Sequence, residues 1–295
     1  MVEPEIIQAH ASHVMQIGFS HDSRILITTG MDNVIKFWSV PSWEFKGELI
    51  GHEKSVNAYA LNKNQDVLIT GSSDTTVRIW ELTGLKEIEK IKAHTQPIVS
   101  VKLSPENALF ATGSYDGKVK LWTYESFELF ETLNGHTKNV TDISFESNCT
   151  HIATGGIDSK IFVWKIPSCD LIKEIDSHTA PIVALKHIAK GKKMVSIAND
   201  GKMKIWNTKN WSLEKEFDLK YTDIHSAAFS NNEKYFTLSL PYKFQIRNLK
   251  TGELIQDIPL KPKGIYYATF SPDNNWLAVG SADKNVRIWK VKDLL

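Results

Sequence analysis

The chain has 295 residues, of which 42% are hydrophobic and 23% charged, the proportions of an ordinary soluble globular protein. Its 35 Lys plus Arg nearly balance 34 Asp plus Glu, giving a net charge of +1, so no global field draws it to nucleic acid or an anionic membrane. The opening residues 1–8 are acidic and lack the long apolar stretch of a secretory signal, and no apolar run reaches the ~18–20 residues of a membrane span. Two cysteines, Cys149 and Cys169, cannot build a disulfide framework and lack the partners of a zinc site, so two reduced thiols are expected. Together these features give a cytoplasmic expectation that does not exclude the nucleus.

In chain order, the first β-type run is Glu5-Ile-Ile-Gln-Ala. A repeat follows. Histidines stand at His10, His52, His94, His136 and His178, each 42 residues after the last. A hydroxyl follows each (Thr28, Thr70, Thr112, Thr154, Ser196), then an aspartate (Asp32, Asp74, Asp116, Asp158, Asp200), then a tryptophan (Trp38, Trp80, Trp122, Trp164, Trp206). A fixed period of this length is the signature of a repeat architecture. Within the third unit, Ile98 to Leu103 alternates, residues 104–107 turn the chain, and Leu109 to Gly113 follows. The turn Tyr115-Asp116-Gly117 leads to Val119 to Trp122, and Phe127 to Leu133 ends the unit. Period-2 runs with Pro, Gly, Asn and Asp between them predict four strands per unit and no long amphipathic helix.

The sixth unit keeps the spacing but reads Lys220, Leu238, Tyr242 and Asn248 in the four columns. The seventh comes one residue early and reads Lys261, Val279, Asp283 and Trp289. The approximate units are therefore 10–51, 52–93, 94–135, 136–177, 178–219, 220–260 and 261–295.

The pattern Gly51-His52, Thr70-Gly-Ser-Ser-Asp74 and Val77-Arg-Ile-Trp80 resembles a WD repeat, and the resemblance covers essentially the whole of 1–295. It implies an all-β fold: a single seven-bladed β-propeller of four-stranded antiparallel blades. It also implies that the fourth strand of each blade comes from the following repeat, so that residues 3–9 complete the last blade. Asp, His and a hydroxyl together suggest a hydrolytic triad. One active site does not need five copies, however, and no Gly-x-Ser-x-Gly elbow is present. The resemblance instead implies a buried structural tetrad, Asp to His to Ser or Thr to the Trp indole. Blades six and seven, which lack most of it, are expected to open first. No catalytic, metal-binding or cofactor-binding residue is assigned, and His10 with His13 lacks the further ligands of a metal site.

Function is then sought in the loops. Related propellers bind peptides at the rim lined by the loop entering the first strand and the turn bearing the aspartate. Five residues past the histidine column are Met15, Asn57, Val99, Thr141, Val183, His225 and Tyr266. Just before the aspartate column are Met31, Ser73, Tyr115, Ile157, Asn199, Pro241 and Ala282. Three past the histidine are His13, Ser55, Pro97, Asn139, Pro181, Asp223 and Gly264. The rim holds no arginine cluster for phosphate, and no residue after the Trp column is Asp. Its apolar and aromatic members suit a partner surface. The expected function is a non-catalytic interaction scaffold that holds a peptide or partner domain within a multi-subunit assembly. The alternative is nucleic-acid or acidic-ligand binding through the basic turn 189–193 of blade five, together with Lys186, Lys202, Lys204 and Lys209.

Overall fold

Runs of four to seven residues between the turns form strands throughout the residues described by this computed structural model, 3–106, 108–261 and 264–295. They pair into seven antiparallel sheets of four strands each. Blades one to six are built from consecutive strands, spanning 14–50, 56–92, 98–134, 140–176, 182–218 and 226–259. Blade seven takes three strands from 265–290 and its fourth from Glu5–Gln8. That strand runs antiparallel to Asn285–Lys290, with Glu5 opposite Ile288 and Gln8 opposite Asn285. The fold is therefore all-β, with seven four-stranded propeller blades and closure by the N-terminal strand, as the repeat implies. One short 3-10 turn, Val291–Asp293, is the sole helical element among the described residues.

Burial grades across each blade. In blade three the second strand, Leu109–Ser114, is buried along nearly its whole length, whereas the fourth, Leu129–Asn134, is mostly exposed. A strand covered on both faces needs no alternation, which is why Leu-Phe-Ala-Thr-Gly-Ser reads as a continuous run of apolar and small residues.

The chain divides into two compact units. The first comprises Met1–Asn57, Leu82–Lys86 and Asp223–Leu295. Its cores lie between sheets: Ala9, Val14, Ile17, Leu26 and Trp38 pack with Ala278, Val286 and Ile288. Phe244 and Ile246 likewise pack with Ile265, Leu277 and Trp289. The approach of blade seven to blade one requires a glycine, because a Cβ on Gly280 would lie 2.7 Å from Val14 Cγ1.

The second unit comprises Ala58–Glu81 and Glu87–Thr222. Apolar cores again fill the gaps between successive blades, and two side chains of blade four add polar ties to blade five. Asp142 Oδ2 accepts the Leu185 N–H at 2.9 Å, and Ser144 Oγ accepts the His187 N–H at 3.0 Å. Ser144 Oγ also lies 2.9 Å from His187 Nδ1, and His187 Nε2 is buried without a hydrogen-bond partner, the ring standing edge-on to Trp211. Burial pushes the His187 imidazole down to about 4, against a raising influence from Glu146 and smaller lowering ones from Lys186 and His151.

Two predictions follow from this architecture. Deleting residues 1–9 removes the strand Glu5–Gln8 and the buried Ala9, and should lower the melting temperature by about 5 °C or more; an unchanged calorimetric transition contradicts closure. His187 is neutral when folded and protonates more readily when unfolded, so its contribution to stability declines as pH falls from about 6.5 toward 4. Between pH 7.5 and 5 that decline is on the order of 2 kcal/mol. Urea unfolding at the two pH values should show a smaller difference for His187→Gln than for the parent; equal differences refute the assignment.

Candidate functional site

The repeated polar residues form a one-directional chain of hydrogen bonds inside each sheet. In blade three the Trp122 indole N–H donates to Thr112 Oγ1 at 3.0 Å, and the Thr112 hydroxyl lies 2.8 Å from His94 Nε2. His94 Nδ1 faces the Asp116 carboxylate at 3.0 Å. Since a carboxylate accepts, Nδ1 carries the proton and Nε2 receives the hydroxyl's. Asp116 also accepts the backbone N–H groups of Thr95 and Lys118, both at 3.1 Å. Blade one repeats the chain through Trp38, Thr28, His10 and Asp32. Blade four does so through Trp164, Thr154, His136 and Asp158. Blade five substitutes Ser196 between Trp206 and His178, with Asp200 as the terminal acceptor. In blade two Trp80 donates to Thr70 at 2.9 Å, and His52 is buried.

Electrostatics fit this direction of donation. Burial raises each carboxylate, yet hydrogen bonds from histidine and backbone hold Asp32, Asp116, Asp158 and Asp200 below their ordinary value. Burial lowers His94 and His178 more than their aspartates raise them. In blades three and five the arrangement is thus a carboxylate accepting from a neutral imidazole. The hydroxyls of Thr28, Thr70, Thr112, Thr154 and Ser196 belong to residues with 0% exposure, so none offers a substrate a nucleophile.

Blade seven replaces the missing members from a neighbouring strand. Arg287 donates to Asp283 and to Ser281 Oγ, the latter at 2.9 Å. Burial raises Asp283, but Arg287, Ser281 and Asn285 together hold it at about 2. The sequence reading of a nearly empty seventh tetrad missed this arginine. Its signal is the side chain four residues after an aspartate that has no histidine. Blade six uses Arg247, whose Nε donates to Gln245 and whose other nitrogen reaches the Gly252 carbonyl, both at 2.8 Å.

The rim columns are set by a recurrent irregularity. The pairing of first and second strands slips by one residue between Val14 and Gln16, Ile98 and Ser100, Val140 and Asp142, Ile182 and Ala184, and Ile265 and Tyr267. The residues left out of register are Met15, Val99, Thr141, Val183 and Tyr266, all members of one rim column. A bulge re-aims its side chain away from the regular pleat. The residue before each aspartate is fixed as well: Met31 N–H donates to the His13 carbonyl, Tyr115 to Pro97, Ile157 to Asn139, Asn199 to Pro181 and Ala282 to Gly264.

In the first unit Met31 and His225 are exposed, and Met15, Asn57, Pro241 and Tyr266 are half-buried. Tyr266 stacks between His13 and His225, with ring centroids 5.6 and 5.8 Å away. In the second unit Tyr115 is exposed, and Ser73, Val99, Thr141, Ile157, Val183 and Asn199 are half-buried. None of these thirteen side chains is in the core, and none carries a fixed charge.

The basic turn of blade five is partly neutralised. Lys193 pairs with Glu214 at 2.7 Å, and both Lys202 and Lys204 pair with Glu216; Lys190 and Lys192 are exposed. Neither cysteine is in a disulfide, both are half-buried, and burial pushes both thiols up. No group of three or more metal-ligating side chains occurs among the described residues, and no helix among them is long and apolar enough to cross a membrane.

The sheets and their tetrads define a WD-repeat protein. The family model for the WD domain, G-beta repeat, matches residues 3–39, 43–81, 85–123, 127–165 and 252–290, well over half of the chain, and the chain belongs to that family. Each matched segment contains the fourth strand of one blade and the first three of the next, the offset that makes residues 5–8 part of blade seven. The unmatched interval 166–251 includes blade five, which nonetheless carries a full tetrad, and the first three strands of blade six, which has none. Comparison with curated proteins gives no match.

Thr112→Val keeps the shape of the side chain while stranding the Trp122 N–H and the His94 acceptor. Each stranded buried group costs about 1–3 kcal/mol, so urea unfolding should show a loss of roughly 2–4 kcal/mol. A loss below about 0.5 kcal/mol would remove the tetrad as a stabilising network.

Proposed function

We propose that this WD40 protein is a non-catalytic interaction scaffold that binds a peptide or partner domain through the rim columns of its blades, within a larger assembly. The family supplies the general type, a fold used for protein interaction. One observation carries the finer reading: the strand bulges leave Met15, Val99, Thr141, Val183 and Tyr266 out of register at a repeated position, with all five half-buried rather than in the core. Next to the aspartates stand Met31 and Tyr115, each 46% exposed. Apolar and aromatic groups held toward solvent by rigid backbone lose little freedom on binding, which is where interfaces gain affinity. A stable partner contact would bury about 1,200–2,000 Å² in total.

The ion pairs of Lys193, Lys202 and Lys204 reduce the free charge available to a polyanion, so the rim is preferred over the basic turn. The test is cross-linking mass spectrometry on the captured complex, with Met31→Ala/Tyr115→Ala as the variant. Cross-links should fall on the rim loops, and the folded variant should lose at least about 90% of captured partner, as expected when exposed apolar and aromatic anchors are truncated. Undiminished capture by the folded variant removes the rim assignment.

A further inference from the structure

Blade six breaks the backbone pattern that fixes the rim elsewhere. Where other blades have an N–H donor before the aspartate column, blade six has Pro241, and proline has none. Asp223, three residues past the histidine column, therefore lacks the rung that His13, Pro97, Asn139, Pro181 and Gly264 receive. The first strand of the blade starts late and is short, Ser226–Phe229. The Pro241 carbonyl turns instead to blade seven and accepts the Gly264 N–H at 2.7 Å. The gap this leaves is a pocket of about 430 Å³ within the first unit, lined by Asp223, His225, Tyr242 and Tyr266 over a floor that includes Gly264 and Ala282.

His225 Nδ1 lies 2.6 Å from the Ile265 carbonyl and donates there. Asp223 Oδ1 is 3.8 Å from the ring's Nε2, too far for a direct hydrogen bond. The exposed Asp223 carboxylate is the acidic group of the pocket. Around it are the exposed Tyr242 and the Tyr266 ring, which the His13 and His225 stacks hold in place. No Lys or Arg is among the described lining residues. A negative charge and aromatic faces suit a cation rich in N–H donors, and they repel an anion.

We propose that this pocket receives a basic side chain, lysine or arginine, of the bound polypeptide. The proposal rests on the interaction reading of the rim and deepens it by naming the chemistry of one contact. Asp223 supplies the charge and the accepting oxygens, and the two tyrosines cover the alkyl stem. Pro241 is the residue that makes the space.

The experiment is a titration of the isotope-labelled full chain, followed by backbone amide NMR, with acetyl-Gly-Lys-Gly-amide, acetyl-Gly-Arg-Gly-amide and acetyl-Gly-Gln-Gly-amide. One or both basic probes should give saturable shifts at His225, Gly264 and Ala282, and the glutamine probe should not. Asp223→Asn should weaken the response by at least about five-fold, the equivalent of ~1 kcal/mol. Tyr242→Ala should weaken it as well, with the remaining amide spectrum unchanged in both variants. A response to lysine alone or arginine alone supports the proposal and fixes the side chain. Silence from both basic probes into the millimolar range overturns it, as does an equal response to glutamine or an unaltered affinity in Asp223→Asn. Partner capture is scored separately: silent probes combined with capture lost in Met31→Ala/Tyr115→Ala reject the pocket and leave the rim reading standing.

Discussion

The fold depends on a buried proton-donating chain that never runs backward: indole to hydroxyl, hydroxyl to imidazole, imidazole to carboxylate. A buried polar group without a partner is expensive, and here every link is both donor and acceptor until the charge at the end is met by backbone N–H groups. The chain fastens the loop before the first strand, the second strand and the third strand of one sheet. Its histidine and aspartate also anchor the two loops that carry the rim columns. The residues exposed for recognition are thus held by the same bonds that stabilise the sheet.

Where the chain of bonds is absent, other chemistry takes over, and the local backbone changes with it. Arg287 reaches Asp283 from the third strand of blade seven and keeps a carboxylate satisfied without a histidine. Blade six has no such carboxylate; Gln245 and Arg247 pair in the third strand instead. With no tetrad to hold its entry loop and a proline at the rim, blade six is free to depart from the common pattern. The departure opens space beside Asp223.

The sheet count and the four tetrad columns were legible because they place particular residue types at a fixed period, whereas the bonding within each tetrad and the closing strand were implied only by the resemblance to the WD repeat. The bulges were not legible. Over a six-residue strand such as Val14–Phe19, a slip of one position leaves nearly the same apolar pattern, and only the pairing partners reveal it. Arg287 was hidden for a different reason: it replaces a histidine in function but comes from another strand, so no column contains it. The ion pairs of the basic turn could have been read from alternation, since Lys204 and Glu216 face each other in register. Pro241 was in plain view, but its effect follows only once the missing N–H is known to be the one that would bind Asp223.

The pairing of Glu5–Gln8 with Asn285–Lys290 has a consequence for biosynthesis. The strand Glu5–Gln8 is translated well before its partner Asn285–Lys290, so it must wait, unpaired, while the residues between them are made. Its pairing is the most non-local contact in the sheet set, and such contacts form slowly because the intervening loop must first close. The six other blades can complete their own hairpins as they emerge. Blade seven can therefore be finished only once residues 285–290 have been made, and until Glu5–Gln8 pairs with it the third strand offers an open edge to which any exposed strand nearby could add.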